Sequence, residues 1–186
     1  MDDLNSLGNT MADRFFKERD KELLEKLKQE VAGDDSRDAL AAASGIKDSS
    51  VLDSLIASGI SPVTIASVSL IPLVAVAWAD QKLEAKERDA ILNAATEAGI
   101  SAGSASYSIL EKWLSEQPDD QLLASWTDYV GAMKSELDAG AVTQLKTSIV
   151  SRAESVAEAA GGFLGLGNKI SDTERGVLTK LESAFA

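Results

Sequence analysis

The sequence predicts an all-α protein, and three observations carry that expectation. Glycine–isoleucine pairs recur at 45–46, 59–60 and 99–100, each just past a stretch of helix-forming residues. A glycine there accepts the left-handed conformation, and the isoleucine can fold back onto the last helical turn. Apolar residues recur at spacings of three and four, as in Leu4, Leu7, Met11 and Phe15 or Leu24, Leu27 and Val31. No segment alternates apolar and polar residues between hairpin turn signals, so no strand is assigned.

The elements follow in order. The first 32 residues hold 14 of the 48 charges, mixed in sign, so this stretch is too polar for a core and must lay one face on something else. Gly8 and Asn9 interrupt its stripe, which predicts a continuous helix from Thr10, with Thr10 and Asp13 as a capping pair. The narrow stripe predicts an arm that is thermodynamically separable from the rest. Two short helices follow, Ala39–Ser44 and Val51–Ser58. Ser61-Pro62 is a favoured cap and first helical residue, and opens a helix apolar nearly all round, as a central core helix should be. Pro72 lacks a backbone donor and is expected to kink or split that helix near Ser69–Ile71. Further helices are expected at Lys86–Ala98, after a start signal at Ser101 near Ala105–Ser115, and at Asp119–Leu137, Ala139–Ala160 and Ser171–Phe185, eight or nine in all.

Composition excludes more function than it suggests. The chain has no cysteine and no histidine, which removes disulfides, Cys/His zinc sites, iron–sulfur clusters and histidine-based triads. Thirty acids against 18 bases give a net charge of −12, which repels a phosphate backbone on average, so nucleic acid is not an expected partner. Ser54 to Ala79 runs 26 positions without a charge, long enough to span a bilayer. Its serines, threonine and prolines, and the flanking aspartates without a basic cluster, favour a buried helix over a span. The start MDDLNSLGNTMADRFF has acids where a leader has a basic region. The expected compartment is the cytoplasm.

DQKLEAKERDAIL from Asp80 matches GNKISDTERGVL from Gly167, with Lys82 against Lys169, Leu83 against Ile170, Glu87 against Glu174 and Arg88 against Arg175. Each copy joins a long apolar helix to an amphipathic one, and two facing copies would give a bundle of approximate two-fold symmetry. LIPLVAVAWADQKLEAKERDAILNAATEAGI resembles the signature of the TerB-like domain family, named for a tellurite-resistance protein, through Ala79, Asp80, Lys82, Leu83 and Glu87. GGFLGLGNKISDTERGVLTKLESAF resembles the family's closing segment. The resemblance covers about residues 61–186. It implies a compact helical bundle linked to stress responses, in some members to divalent cations held by carboxylates, and not to established enzymes. Gln81 stands where the family usually has glycine, which would ease a positive φ.

The sharpest candidate for chemistry is the carboxylate set Asp80, Glu84 and Glu87. Asp80 should end the long helix, and Glu84 and Glu87, three apart, should share a face at the start of the next. Oxygen ligands without histidine suit calcium, magnesium or manganese. Lys82 and Ala85 occupy the third and sixth positions of an EF-hand count, so this is no EF-hand. The competing reading is capping: Glu87 as the reciprocal carboxylate of a capping box, as Glu174 is opposite Ser171, with acids favouring the helix dipole. The glycine-rich segment 161–168 follows a helix and carries Phe163, Leu164 and Leu166, so it reads as an apolar loop and not a phosphate loop. Nothing supplies a nucleophile or a cofactor fingerprint.

The sequence thus predicts a non-enzymatic, all-α, TerB-like protein: an N-terminal amphipathic helix (1–33), two short helices (34–60) and a helical domain (61–186). Its expected function is divalent-cation binding, calcium or magnesium with no other cofactor, in a stress-related or regulatory setting. The alternative is a protein-interaction or inhibitory module acting through residues 1–60. A protein partner or a second copy would then dock on Phe15, Phe16, Leu23, Leu24 and Leu27.

Overall fold

The computed structural model describes residues 2–15, 21–30, 37–58, 60–83, 85–97, 100–117, 121–161 and 170–186. Among them are ten helices: α1 (Asp2–Phe15), α2 (Lys21–Glu30), α3 (Arg37–Ser44), α4 (Ser49–Ala57), α5 (Pro62–Ala77), α6 (Ala85–Glu97), α7 (Ala105–Trp113), α8 (Gln121–Met133), α9 (Ala139–Gly161) and α10 (Asp172–Ala184). No described residue lies in a strand, in agreement with the all-α expectation.

Local signals set most boundaries. Asp48 caps α4, its carboxylate accepting the N–H groups of Ser50 and Val51, and Ser61 caps α5 with Pro62 next to it. Hydrogen bonds from Ser50 and from backbone N–H groups hold the Asp48 carboxyl below the usual carboxylate range. Ser171 and Glu174 form the expected reciprocal capping box of α10. Gly45 has a φ of 69°, and the Ile60 and Ile100 N–H groups reach back to the carbonyls of Leu55 and Ala95, both at 3.0 Å. Those are the long closing bonds of Schellman ends, and Ile46, Ile60 and Ile100 are all buried. Gly59 and Gly99 themselves lie outside the described residues. The expected start at Ser101 is displaced: a turn containing Gly103 intervenes, and Ser104 caps α7 through the Tyr107 N–H.

α5 is the axis of the molecule. It packs against α1, α2, α3, α7, α8, α9 and α10, and nearly all of its residues are buried. Its 16 residues span about 24 Å at 1.5 Å per residue, short of the ~30 Å hydrocarbon core of a bilayer. Among the described residues no helix is long and apolar enough to cross a membrane. In the two helix–loop–helix stretches α6 packs on α9, α10 packs on both α9 and α5, and the long helices α5 and α9 pack on each other.

Pro72 does not split α5, the stronger of the two outcomes expected of it. The helix runs through it, and the reason is visible four residues earlier. A helical residue at 72 would donate its N–H to the Val68 carbonyl, and proline cannot. The indole of Trp126, on α8, donates to that carbonyl at 2.9 Å. A side chain from another helix has replaced the missing backbone donor, as the full satisfaction of buried carbonyls requires.

α1 also departs from expectation. It starts at Asp2 and passes through Gly8 and Asn9 without interruption. Thr10 is an interior residue whose hydroxyl donates back to the Ser6 carbonyl at 2.9 Å, not a cap. Gly8 serves packing: a Cβ there would stand 2.9 Å from Tyr129 Cε2 and 3.2 Å from Thr64 Cγ2. Leu4, Met11 and Ala12 are buried, and α1 lies on α5 and α8. The apolar stripe of α1 thus joins the core cluster, which bears against a separable arm there.

Candidate functional site

The α5–α6 connection is built as a tight, anchored turn. Trp78 ends α5, and its indole donates to the Trp113 carbonyl at the end of α7 at 2.9 Å. The Ala79 N–H reaches Val76 and the Gln81 N–H reaches Trp78, which carries the chain sharply out of the helix. Leu83 then packs against the core. On α6, the Arg88 Nη1 donates to Ser115 Oγ at 3.2 Å, tying the first turn of that helix to the segment after α7.

Gln81 holds a φ of 64°, the only non-glycine positive φ among the described residues. The left-handed conformation costs an ordinary residue roughly 1–2 kcal/mol, and such strain gathers at functional sites and tight turns. Gln81 is exposed, so little side-chain packing offsets this cost. Gln81→Gly is expected to raise stability by about 0.5–1 kcal/mol, the strain relieved less the extra chain entropy of glycine. Urea denaturation reads it, and a lower midpoint for the variant would mean that the glutamine side chain itself holds the turn.

Asp80 is exposed, and its Oδ1 accepts the Lys82 N–H at 3.0 Å, an Asx-turn contact. Glu84 lies outside the described residues; Glu87 is on α6, but its side chain is not among those described. The structure therefore places one of the three predicted ligands. Among the described residues, which leave out Glu84 and the Glu87 side chain, no group of three potential ligands converges. In the second loop the Glu174 carboxylate is spent on its own helix. It accepts the Ser171 N–H at 2.7 Å and the Ser171 hydroxyl at 2.8 Å, and it is buried.

Of the predicted partner face, Leu23 is half-buried and packs against the core, while α2 lies on α7 and α5. Phe15, Leu24 and Leu27 are in helices, but their side chains, and Phe16 entirely, lie outside the described residues.

One residue escaped the sequence reading. Arg152 on α9 is 7% exposed, and its Nη1 donates to the Ser44 carbonyl at the end of α3. Its position was legible. Leu145, Ile149, Arg152 and Val156 follow spacings of four, three and four, so a cation stands in an apolar stripe.

No protein-family model matches the chain, and no curated protein or solved structure matches it significantly.

Proposed function

We propose that the chain is a non-enzymatic binding protein of TerB-like type that takes a divalent cation, calcium or magnesium, at the α5–α6 turn. The observation that carries this reading is the strained Gln81 beside Asp80, a backbone cost at the position where the sequence sets a carboxylate between two helix ends. Hard cations need several oxygen ligands, and backbone carbonyls of a tight turn supply them alongside carboxylates. Asp80, Glu84 and Glu87 are the side chains assigned to the ion, with Lys82 and Lys86 offsetting part of their mutual repulsion. Affinity is therefore expected to be modest and salt-sensitive. The stress-related or regulatory setting follows from the TerB-like resemblance alone.

Calorimetry with calcium and magnesium chloride on the parent, Asp80→Asn and Glu87→Gln tests the assignment. Binding by the parent that weakens at least tenfold in either variant is the expected result. No heat and no thermal shift at millimolar cation would leave a capped helix and an Asx turn. Parent-like binding by Asp80→Asn would move the site elsewhere.

A further inference from the structure

The buried guanidinium on α9 has a setting that capping of α3 does not exhaust. Ser44 is the last residue of α3, and its carbonyl takes one N–H of Arg152. A cation at that end is favoured by the helix dipole, which accounts for one edge of the group. Arginine carries five donors, and among the described residues no carboxylate pairs with this one. Burial pulls its pKa down to about 10, so it remains a cation at neutral pH.

Arg152 lines a cleft of about 360 Å³ between α9 and the α3–α4 loop, together with Gly45, Lys47, Ser148, Ser151 and Ser155. Among the described residues that lining has two cations, three hydroxyls and no acid, in a chain of net charge −12. Two acids adjoin the lining in sequence without being part of it: Glu154 beside Ser155, exposed on α9, and Asp48 beside Lys47. The Asp48 carboxylate caps α4 and accepts the Gln144 amide NH2 at 2.9 and 3.1 Å. Ser151 and Ser155 donate to carbonyls of their own helix, and a rotation of either hydroxyl redirects it into the cleft.

We propose that this cleft is an anion site that takes inorganic phosphate or a phosphate monoester, in addition to and independently of the cation site proposed above. Arg152 is the fixed donor, held in place by Ser44. Lys47 is exposed and supplies a mobile second charge. The Ser148 and Ser151 hydroxyls supply further donors. A tetrahedral dianion matches two cations; a single carboxylate would leave one of them uncompensated. Phosphate oxygens also suit the planar, forked donors of a guanidinium.

The test follows thermal unfolding and calorimetric heat of the full chain with inorganic phosphate, glycerol 3-phosphate, and chloride at matched ionic strength. Lys47→Gln, Ser148→Asp and Arg152→Lys are compared with the parent. Lys47→Gln and Ser148→Asp alter exposed or half-buried positions and keep the test decisive should Arg152→Lys fail to fold. The parent is expected to rise in Tm with either phosphate probe, saturably, and not with chloride. Lys47→Gln should weaken binding about tenfold, and Ser148→Asp should abolish it. The tighter of the two probes identifies the source, free ion or monoester. Phosphate also stabilises proteins nonspecifically by exclusion from their surface. A shift equal in the parent and Ser148→Asp, or equal with chloride, is that effect and would overturn the site.

Discussion

Trp126→Phe is expected to destabilise the protein by about 3 kcal/mol, through a cavity and an orphaned carbonyl together. Trp126 is fully buried, stands edge-on to Phe185 with ring centroids 5.9 Å apart, and is the donor to Val68. Phenylalanine keeps an aromatic ring but supplies no N–H, so the Val68 carbonyl is left buried without that partner. Pro72→Ala restores a backbone N–H at the position from which a helix normally reaches Val68. In the parent background this change should matter less, because a carbonyl can accept two hydrogen bonds. In the Trp126→Phe background it should recover on the order of 1 kcal/mol beyond its effect alone. Urea denaturation of the four proteins closes the cycle. Strict additivity of the two changes would sink the claim that Trp126 stands in for the missing donor.

The second large effect concerns α1. Deleting residues 1–15 removes Leu4 and Met11 from the core, each worth roughly 1.5–3 kcal/mol of burial, and uncovers Tyr129 and Thr64. Set against a total stability of about 5–15 kcal/mol, this should abolish or severely broaden the cooperative melt. Gly8→Val is the corresponding point change. It drives a branched side chain into Tyr129, where even a Cβ would stand at 2.9 Å, and is expected to cost about 3 kcal/mol. A melt within a few degrees of the parent after deletion would show that α1 docks without contributing to the core. It would restore the separable arm that the charge density of the first 32 residues suggests.

What was legible in the sequence was what is local. The Ser61-Pro62 start, the Ser171–Glu174 box and the isoleucines at 46, 60 and 100 act within one turn of a helix end, so spacing alone reveals them. The positive φ at Gln81 was suggested only by the TerB-like resemblance, which usually has glycine at that position. Partners far apart in the chain were not legible. Gly8 reads as a helix breaker until Tyr129 is seen against it, and Pro72 reads as a helix break until Trp126 supplies the donor. Arg152 lies between these cases, because its place in an apolar stripe could be read while the Ser44 carbonyl that it meets could not. The carboxylate set stays partly a sequence inference, since only Asp80 of the three is placed.

The position of α5 bears on how the chain is made. Its residues 62–77 have no polar face to offer water, and the helices that cover it from the later chain, α7 to α10, are synthesised after it. The interval from Ala77 to the end of α9 is about 80 residues, on the order of 4–17 s of elongation at ~5–20 residues per second. When α5 is complete, the helices already made that pack on it are α1 to α3, and α7 to α10 join them only as the interval proceeds. The early helices thus act as a cradle for a nascent core, and weakening α1 exposes the most apolar segment of the chain when the ribosome has yet to supply the rest.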